Sequence, residues 1–311
     1  GKTTQGQNTV AVGNDAGGSS QGQNSVAVGA SAGQTSQGIF SVAIGSAAGS
    51  NTQGTQAVAI GSGAGITTQQ PAAVAVGINA GASNQGINAV AIGRESANTN
   101  QGASSVAIGN SAGQATQGAD SIAVGSSAGQ TTQGVNSVAI GINAGTTTQG
   151  GSAVAVGVNA GNDTQGGQGV AVGRQAGQTS QGANAVAVGY LAGKTNQSTN
   201  SVAVGVNCGS SGQLAGAVAI GLQAGQTTQG TNAVAIGTNA GQGTTSGQGT
   251  NAVAIGKDAG VASQTAGSIC LNASGVALNP NQAGYFVRPI RGVGLGLGVG
   301  VVFYDTATFE L

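Results

Sequence analysis

The sequence contains no histidine, methionine or tryptophan, and only three prolines and two cysteines in 311 residues. Without histidine, the most common general base near neutral pH is missing, and so is the usual nitrogen ligand of zinc and copper. No pair of carboxylates lies near another titratable group, and each serine falls in a repeat slot rather than on a sharp strand-to-helix turn. We therefore expect no enzyme, no metal site and no cofactor. Charge is equally scarce. Seven basic and seven acidic residues leave a net charge of zero, so no basic patch exists to hold nucleic acid or an anionic membrane. No apolar run approaches the length of a membrane span, and the first residues lack a signal-peptide layout. Cys208 and Cys270 stand where other copies of the repeat have alanine, which reads as buried free thiols at small-residue sites.

What the chain has in abundance is glycine, 62 residues, together with 39 % hydrophobic residues. Disordered chains are poor in apolar residues, so this composition indicates order, and glycine does not recur at every third position as collagen requires. The order comes from repetition. Val26-Ala27-Val28-Gly29 returns as Val42-Ala43-Ile44-Gly45 and Val58-Ala59-Ile60-Gly61, sixteen residues apart each time. Sixteen such motifs run from Val10 to Val253, with one interval of 19 residues between Val234 and Val253, and a worn further copy follows at Ile269-Cys270-Leu271-Asn272. A short fixed period marks a solenoid, one coil per repeat, and hence a rod. Gly1 falls in mid-repeat, at the slot of Gly17, so the chain is expected to be a piece of something longer.

Each coil carries a β-branched run and a Thr/Ser-rich run, about five residues each, separated by glycine-bearing turns. The fold class expected is all-β, a parallel β-roll or β-solenoid. Within the motif, Val58 and Ile60 face one way and Ala57 and Ala59 the other, and both faces are apolar. One coil covers only one of these faces with its own second strand. The other would form an apolar stripe on the order of 75 Å long at ~4.8 Å per coil, which a closed cyclic homo-oligomer would hide.

The most regular polar feature is a glutamine column: Gln5, Gln21, Gln37, Gln53, Gln69, Gln85, Gln101, Gln117, Gln133, Gln149, Gln165, Gln181, Gln197, Gln213, Gln229, Gln248 and Gln264. Stacked in register, identical amides can donate to one neighbour and accept from the other, forming a structural ladder. The glycine after each glutamine (Gly22, Gly38, Gly54, Gly86) is expected to supply positive φ, and the departures at Gln70, Ser198 and Leu214 to alter the turns. Variation concentrates in two pairs per coil, one after the motif glycine (Ile78-Asn79, Tyr190-Leu191) and one after Gln-Gly (Ile39-Phe40). These read as solvated turns. The candidate receptor-facing residues among them are Ile39, Phe40, Tyr190 and Leu191, joined by Tyr285 and Phe286 near the C-terminus. The extra residues before Val253 read as a surface loop.

Composition changes after Gly267. Five of the seven aromatics (Tyr285, Phe286, Phe303, Tyr304, Phe309) fall in the last 27 residues, so the chain divides into a roll over 1–267 and a small C-terminal β module over 268–311. Gly292 to Gly300 alternates glycine with apolar residues and opens no helix, so it reads as a strand rather than a phosphate loop.

Ser41-Val42-Ala43-Ile44-Gly45 with Ala48-Gly49 resembles the repeat of trimeric autotransporter adhesin heads, the YadA-like family, over residues 1 to about 268. That resemblance implies left-handed parallel β-rolls intertwined as a homotrimer. The sixteen-residue period and unbroken glutamine column differ from the commoner bacterial repeat. The tail, Tyr285-Phe286-Val287-Arg288-Pro289-Ile290-Arg291 and Phe303-Tyr304-Asp305, resembles the segment preceding the intramolecular chaperone peptidase of phage tail fibres and of fibre proteins of large DNA viruses. Together these imply the shaft or head of a trimeric fibre on a virion surface, acting in host attachment through a receptor or glycan, or serving as a spacer. The alternatives are a bacterial trimeric adhesin on the cell surface and, from another class, a monomeric ice- or glycan-binding solenoid motivated by Thr131-Thr132 and Thr147-Thr148.

Overall fold

The computed structural model describes residues 3–289, and the expectations placed on Ile290, Arg291, the Gly292–Gly300 alternation, Phe303, Tyr304, Asp305 and Phe309 lie outside them. Among the described residues the regular structure is all strand. The chain winds as a parallel β-solenoid in which each motif strand pairs with the one a coil later, Val42↔Val58, Ala43↔Ala59 and Ile44↔Ile60. The same register carries through Val234↔Val253, because the three extra residues are looped out ahead of Gln248 and leave the strand alignment intact. Beyond residue 267 the sheet continues through Ser268–Asn272 and Gly284–Arg288, five residues each, with Ile269↔Tyr285 and Cys270↔Phe286.

The strands are shorter than the sequence runs suggest. Motif strands are three residues, as in Val58–Ile60, and most glutamine strands are two, as in Thr52–Gln53. The reason lies in the turns. Besides its glycines, each coil places the second residue of both variable pairs in the left-handed region: Asp15 (φ 57), Asn79 (φ 54) and Leu191 (φ 58) after the motif, Asn24 (φ 56), Phe40 (φ 57) and Asn136 (φ 57) after Gln-Gly. Left-handed residues end strand pairing, and a side chain there costs about 1–2 kcal/mol unless it is Asn or Asp. The second residue of each pair, which the sequence marks only as part of a solvated turn, is thus conformationally specified.

The glycine following each glutamine serves a different purpose from the one expected. Gly38 is not left-handed, and a Cβ built on it would lie 2.5 Å from the backbone of Gly54 in the next coil. Close stacking, not φ, excludes a side chain there. The motif glycine has both constraints, since Gly45 has φ +129 and its Cβ would meet Gly61 at 2.6 Å.

The interior is correspondingly narrow. Ala59, Ala64 and the buried amide of Gln69 fill one coil, and the same set recurs along the rod. Each glutamine crosses this interior from its own strand to the motif strand: Gln53 Nε2 donates to Val42 O at 2.8 Å and to Ala57 O at 3.3 Å. The amide-to-amide bond comes second. It runs unbroken from Gln149 to Gln264 at 2.9–3.2 Å. Nearer the N-terminus it is interrupted, and Oε1 of Gln37, Gln53, Gln69, Gln101, Gln133 and Gln149 accepts nothing. An amide has two protons, and here the first is committed to the backbone carbonyl across the coil.

Both cysteines are free and buried, as expected. Burial pushes the Cys208 thiol up to about 12 and raises that of Cys270. Both thiols therefore stay protonated at pH 8, and since the thiolate is the nucleophile, native protein should resist iodoacetamide at that pH and react once unfolded in guanidinium. Rapid labelling of the native chain would show that the coils open.

Two further expectations follow. Gln133→Ala removes the donor to Ile122 O and should lower stability by roughly 1–3 kcal/mol, read as a lower melting temperature. Ala139→Phe should prevent folding by overpacking the interior, while Ser126→Lys, at an exposed turn position, should melt like the parent. Equal effects at Ala139 and Ser126 would mean the faces are misassigned.

Candidate functional surfaces

The side chains of a coil divide into three groups. Alanines and glutamines point inward, Thr, Ser and Asn of the glutamine strand point outward, and the first and third motif residues point outward on the opposite side. Ala59 is fully buried, whereas Ile60 is 37 % exposed and Ile44, Ile92, Ile108, Ile140 and Ile220 are similarly exposed. Val58, Val74 and Val90 are half-buried beside them. The motif strand thus presents an unbroken outward apolar column, and it is the Val/Ile face, not the Ala face, that lacks cover.

The turn after the motif widens this column in the C-terminal half. Ile142, Val158, Tyr190, Val206 and Leu222 occupy the first position after the motif glycine and are all exposed. Arg174 fills the same slot between Val158 and Tyr190, its guanidinium 5.6 Å from the centre of the Tyr190 ring, an interaction worth roughly 0.5–1 kcal/mol at an exposed site. In the first coils the slot holds Asn14, Ala30, Ser46 and Ser62. The ridge is an asymmetry along the rod that a coil-by-coil reading of the sequence passes over, although the column of large residues at one slot was its visible signal. Charge adds little. Arg94–Glu95 (2.8 Å) and Lys257–Asp258 (3.8 Å) are pairs of adjacent residues with the cation well exposed, and such pairs contribute about 0–1 kcal/mol.

The candidate receptor-facing residues do not form one site. Ile39 and Phe40 are exposed in the turn after Gln-Gly, and Tyr190 is exposed in the opposite turn some nine coils away, on the order of 45 Å along the rod. Leu191 is half-buried and left-handed. Tyr285 and Phe286 are not turn residues. They lie in the strand Gly284–Arg288, whose parallel pairing puts Tyr285 in the outward column with Val253 and Ile269, and Phe286 in the column of Ala254 and Cys270. This corrects their assignment to a turn, because the sheet register continues past the last intact motif.

From Gln21 onward the glutamines of the column are buried, with their Nε2 atoms bonded inside the coil, so they offer few free donors to a ligand, whereas Gln5 is exposed. Among the described residues no group of His, Cys, Asp and Glu is placed to hold a metal, and no helix is long and apolar enough to cross a membrane.

Phe40 stands out as a bulky residue held at φ 57 where most equivalent positions carry Asn or another small polar residue. Phe40→Asn should raise stability by about 1 kcal/mol through relief of the left-handed penalty. A lower melting temperature for Phe40→Asn would show that the exposed ring is held by packing.

No curated protein sequence matches the chain. Two stretches, residues 72–96 and 215–240, match the YadA head domain repeat. Each spans two consecutive motif strands and the coil between them, Val74–Val76 with Val90–Ile92 and Val218–Ile220 with Val234–Ile236. The chain is a parallel β-solenoid that carries two copies of the YadA head domain repeat.

Proposed function

We propose that the chain forms the shaft or head of a homotrimeric surface fibre, a structural protein and not an enzyme, which acts in host attachment or as a spacer. The observation that carries this reading is the outward Val/Ile column. A three-residue strand repeated at ~4.8 Å per coil exposes an apolar strip on the order of 700 Å², beyond what a soluble monomer ordinarily leaves open. The ridge from Ile142 to Leu222 extends it sideways. A second chain can cover such a strip only by lying alongside in matching register, and closed cyclic symmetry leaves no copy with an open face. The resemblance to trimeric adhesin heads supports three as the number of chains.

The tail around Tyr285-Phe286-Val287-Arg288-Pro289 favours a fibre on a virion. The YadA head repeat matches favour the second reading, a bacterial trimeric adhesin exposed on the cell surface. A downstream chaperone peptidase in the full gene would support the first, and a membrane-anchor barrel the second. The monomeric ice- or glycan-binding reading is disfavoured because Asn84, Ala115 and Asp163 interrupt the Thr columns and because it leaves the Val/Ile strip bare.

Light scattering should return three times the 28.9 kDa chain mass. Ile60→Lys with Ile140→Lys should yield monomers that keep a β-type circular dichroism spectrum, since both side chains point out of the coil. A parent protein that is monomeric at micromolar concentration would remove the fibre reading.

A further inference from the structure

The polar face of the rod pairs as strand along most of its length and only by isolated bridges at Gln85 and from Gln213 to Gln264. The glutamine-strand sheets end ahead of those places, one at Thr68–Gln69 just before Gln70, the other at Thr195–Gln197 just before Ser198. A Cβ on Gly182 would lie 2.5 Å from Thr199 N, yet Ser198 carries a Cβ at the same slot one coil later and its N–H still donates to Gln213 O at 2.8 Å. The Gln213 coil keeps only the isolated bridges Thr195↔Ser211 and Gln213↔Gln229, and Gly212 (φ 75) is left-handed at the slot where Thr132 and Thr148 of the regular coils are not. In the two coils before it, Ser180 (φ 56) and Asn196 (φ 53) are left-handed in the middle of three-residue strands, which re-aims their side chains as a bulge does.

These departures together open a groove of about 550 Å³ lined by Thr164, Ser180, Asn196, Ser198, Thr199 and Ala215, together with two column glutamines. The groove is shallow and open, and most of the surface it exposes is apolar carbon interrupted by polar groups. Four hydroxyls and one carboxamide can each donate and accept, and no titratable side chain lines the groove, although Asp163 and Lys194 stand close by in sequence. A carboxylate, phosphate or sulfate would lose its hydration there with no cation in the lining to replace it.

We propose that this groove is a binding subsite for a neutral, hydroxyl-rich glycan. The vicinal hydroxyls of a sugar are the ligand groups that pair with side chains which both donate and accept. Ser198 puts a hydroxyl where most coils have glycine, and Asn196 is the most versatile hydrogen-bonding group of the groove. The proposal rests on the attachment reading above but not on trimerisation, because one chain supplies every lining residue.

The test uses the full chain on an array of neutral oligosaccharides and their sialylated and sulfated counterparts, followed by titration of the strongest neutral binder. Neutral glycans should bind and acidic counterparts should bind more weakly. Asn196→Ala and Ser198→Gly should each weaken binding by about tenfold or more, since each removes a hydrogen-bonding group from the groove. Asn100→Ala, at the same slot of a regular coil, should bind like the parent. Ser198→Gly restores the repeat residue, so its melting temperature should not fall, which separates loss of the hydroxyl from loss of the fold. Absence of neutral glycan binding, a preference for acidic glycans or a peptide, or equal affinity in Asn196→Ala and the parent would each overturn the proposal. If no glycan binds but the chain still attaches to cells, the groove assignment fails and the attachment reading stands. If neither occurs, both fail.

Discussion

The glutamine side chain that spans each coil is the interaction on which the rest of the structure depends. By donating to the carbonyl of the opposite motif strand, Gln53 to Val42 at 2.8 Å and Gln149 to Val138 at 2.8 Å, it ties the two walls of the solenoid together at a separation one amide long. That separation leaves room only for alanine on the facing strand. A coil so narrow has no place for valine or isoleucine inside, so the larger apolar residues of the motif must point outward. The same hydrogen bond that closes a coil therefore creates the outward apolar surface on which the proposed assembly rests.

Stability in such a rod comes from stacking rather than from a large core. The buried side chains are alanines, cysteines, serines and glutamines, each contributing little apolar area. Nearest-neighbour contacts repeated coil upon coil supply the remainder. Close stacking is also why glycine follows the glutamine in most coils: a Cβ on Gly38 or Gly182 would lie 2.5 Å from the backbone of the next coil. The amide bonds continuous from Gln149 to Gln264 and interrupted before it, together with the ridge from Ile142 to Leu222, make the C-terminal half both better bonded and broader in its apolar face.

Much of this was legible in the sequence. The period fixed the register of every motif strand, because identical residues sixteen apart must stack if they form a parallel sheet, and alternation separated Ala59 from Ile60. The left-handed turn positions were written less plainly. Their signal is the recurrence of Asn at 24, 88, 136, 184 and 232, which single variable residues such as Phe40 obscured. The glycine after glutamine was read as a turn residue because sequence does not display the distance to the next coil. Tyr285 and Phe286 were misplaced because their strand keeps the sheet register but not the motif. The groove near Ser198 lay beyond sequence reasoning, since it arises from several small departures in adjacent coils that combine only in three dimensions.

The central claim is that the outward Val/Ile column lies against its counterparts on other copies of the chain. Oxidative crosslinking tests it directly, using the buried, unreactive state of Cys208 and Cys270 as a quiet background. A cysteine introduced by Ile140→Cys should form disulfides between chains in the native protein, while Thr132→Cys, on the opposite outward face, should not. Crosslinking at Thr132 with none at Ile140 would contradict the account and place the interface on the polar face.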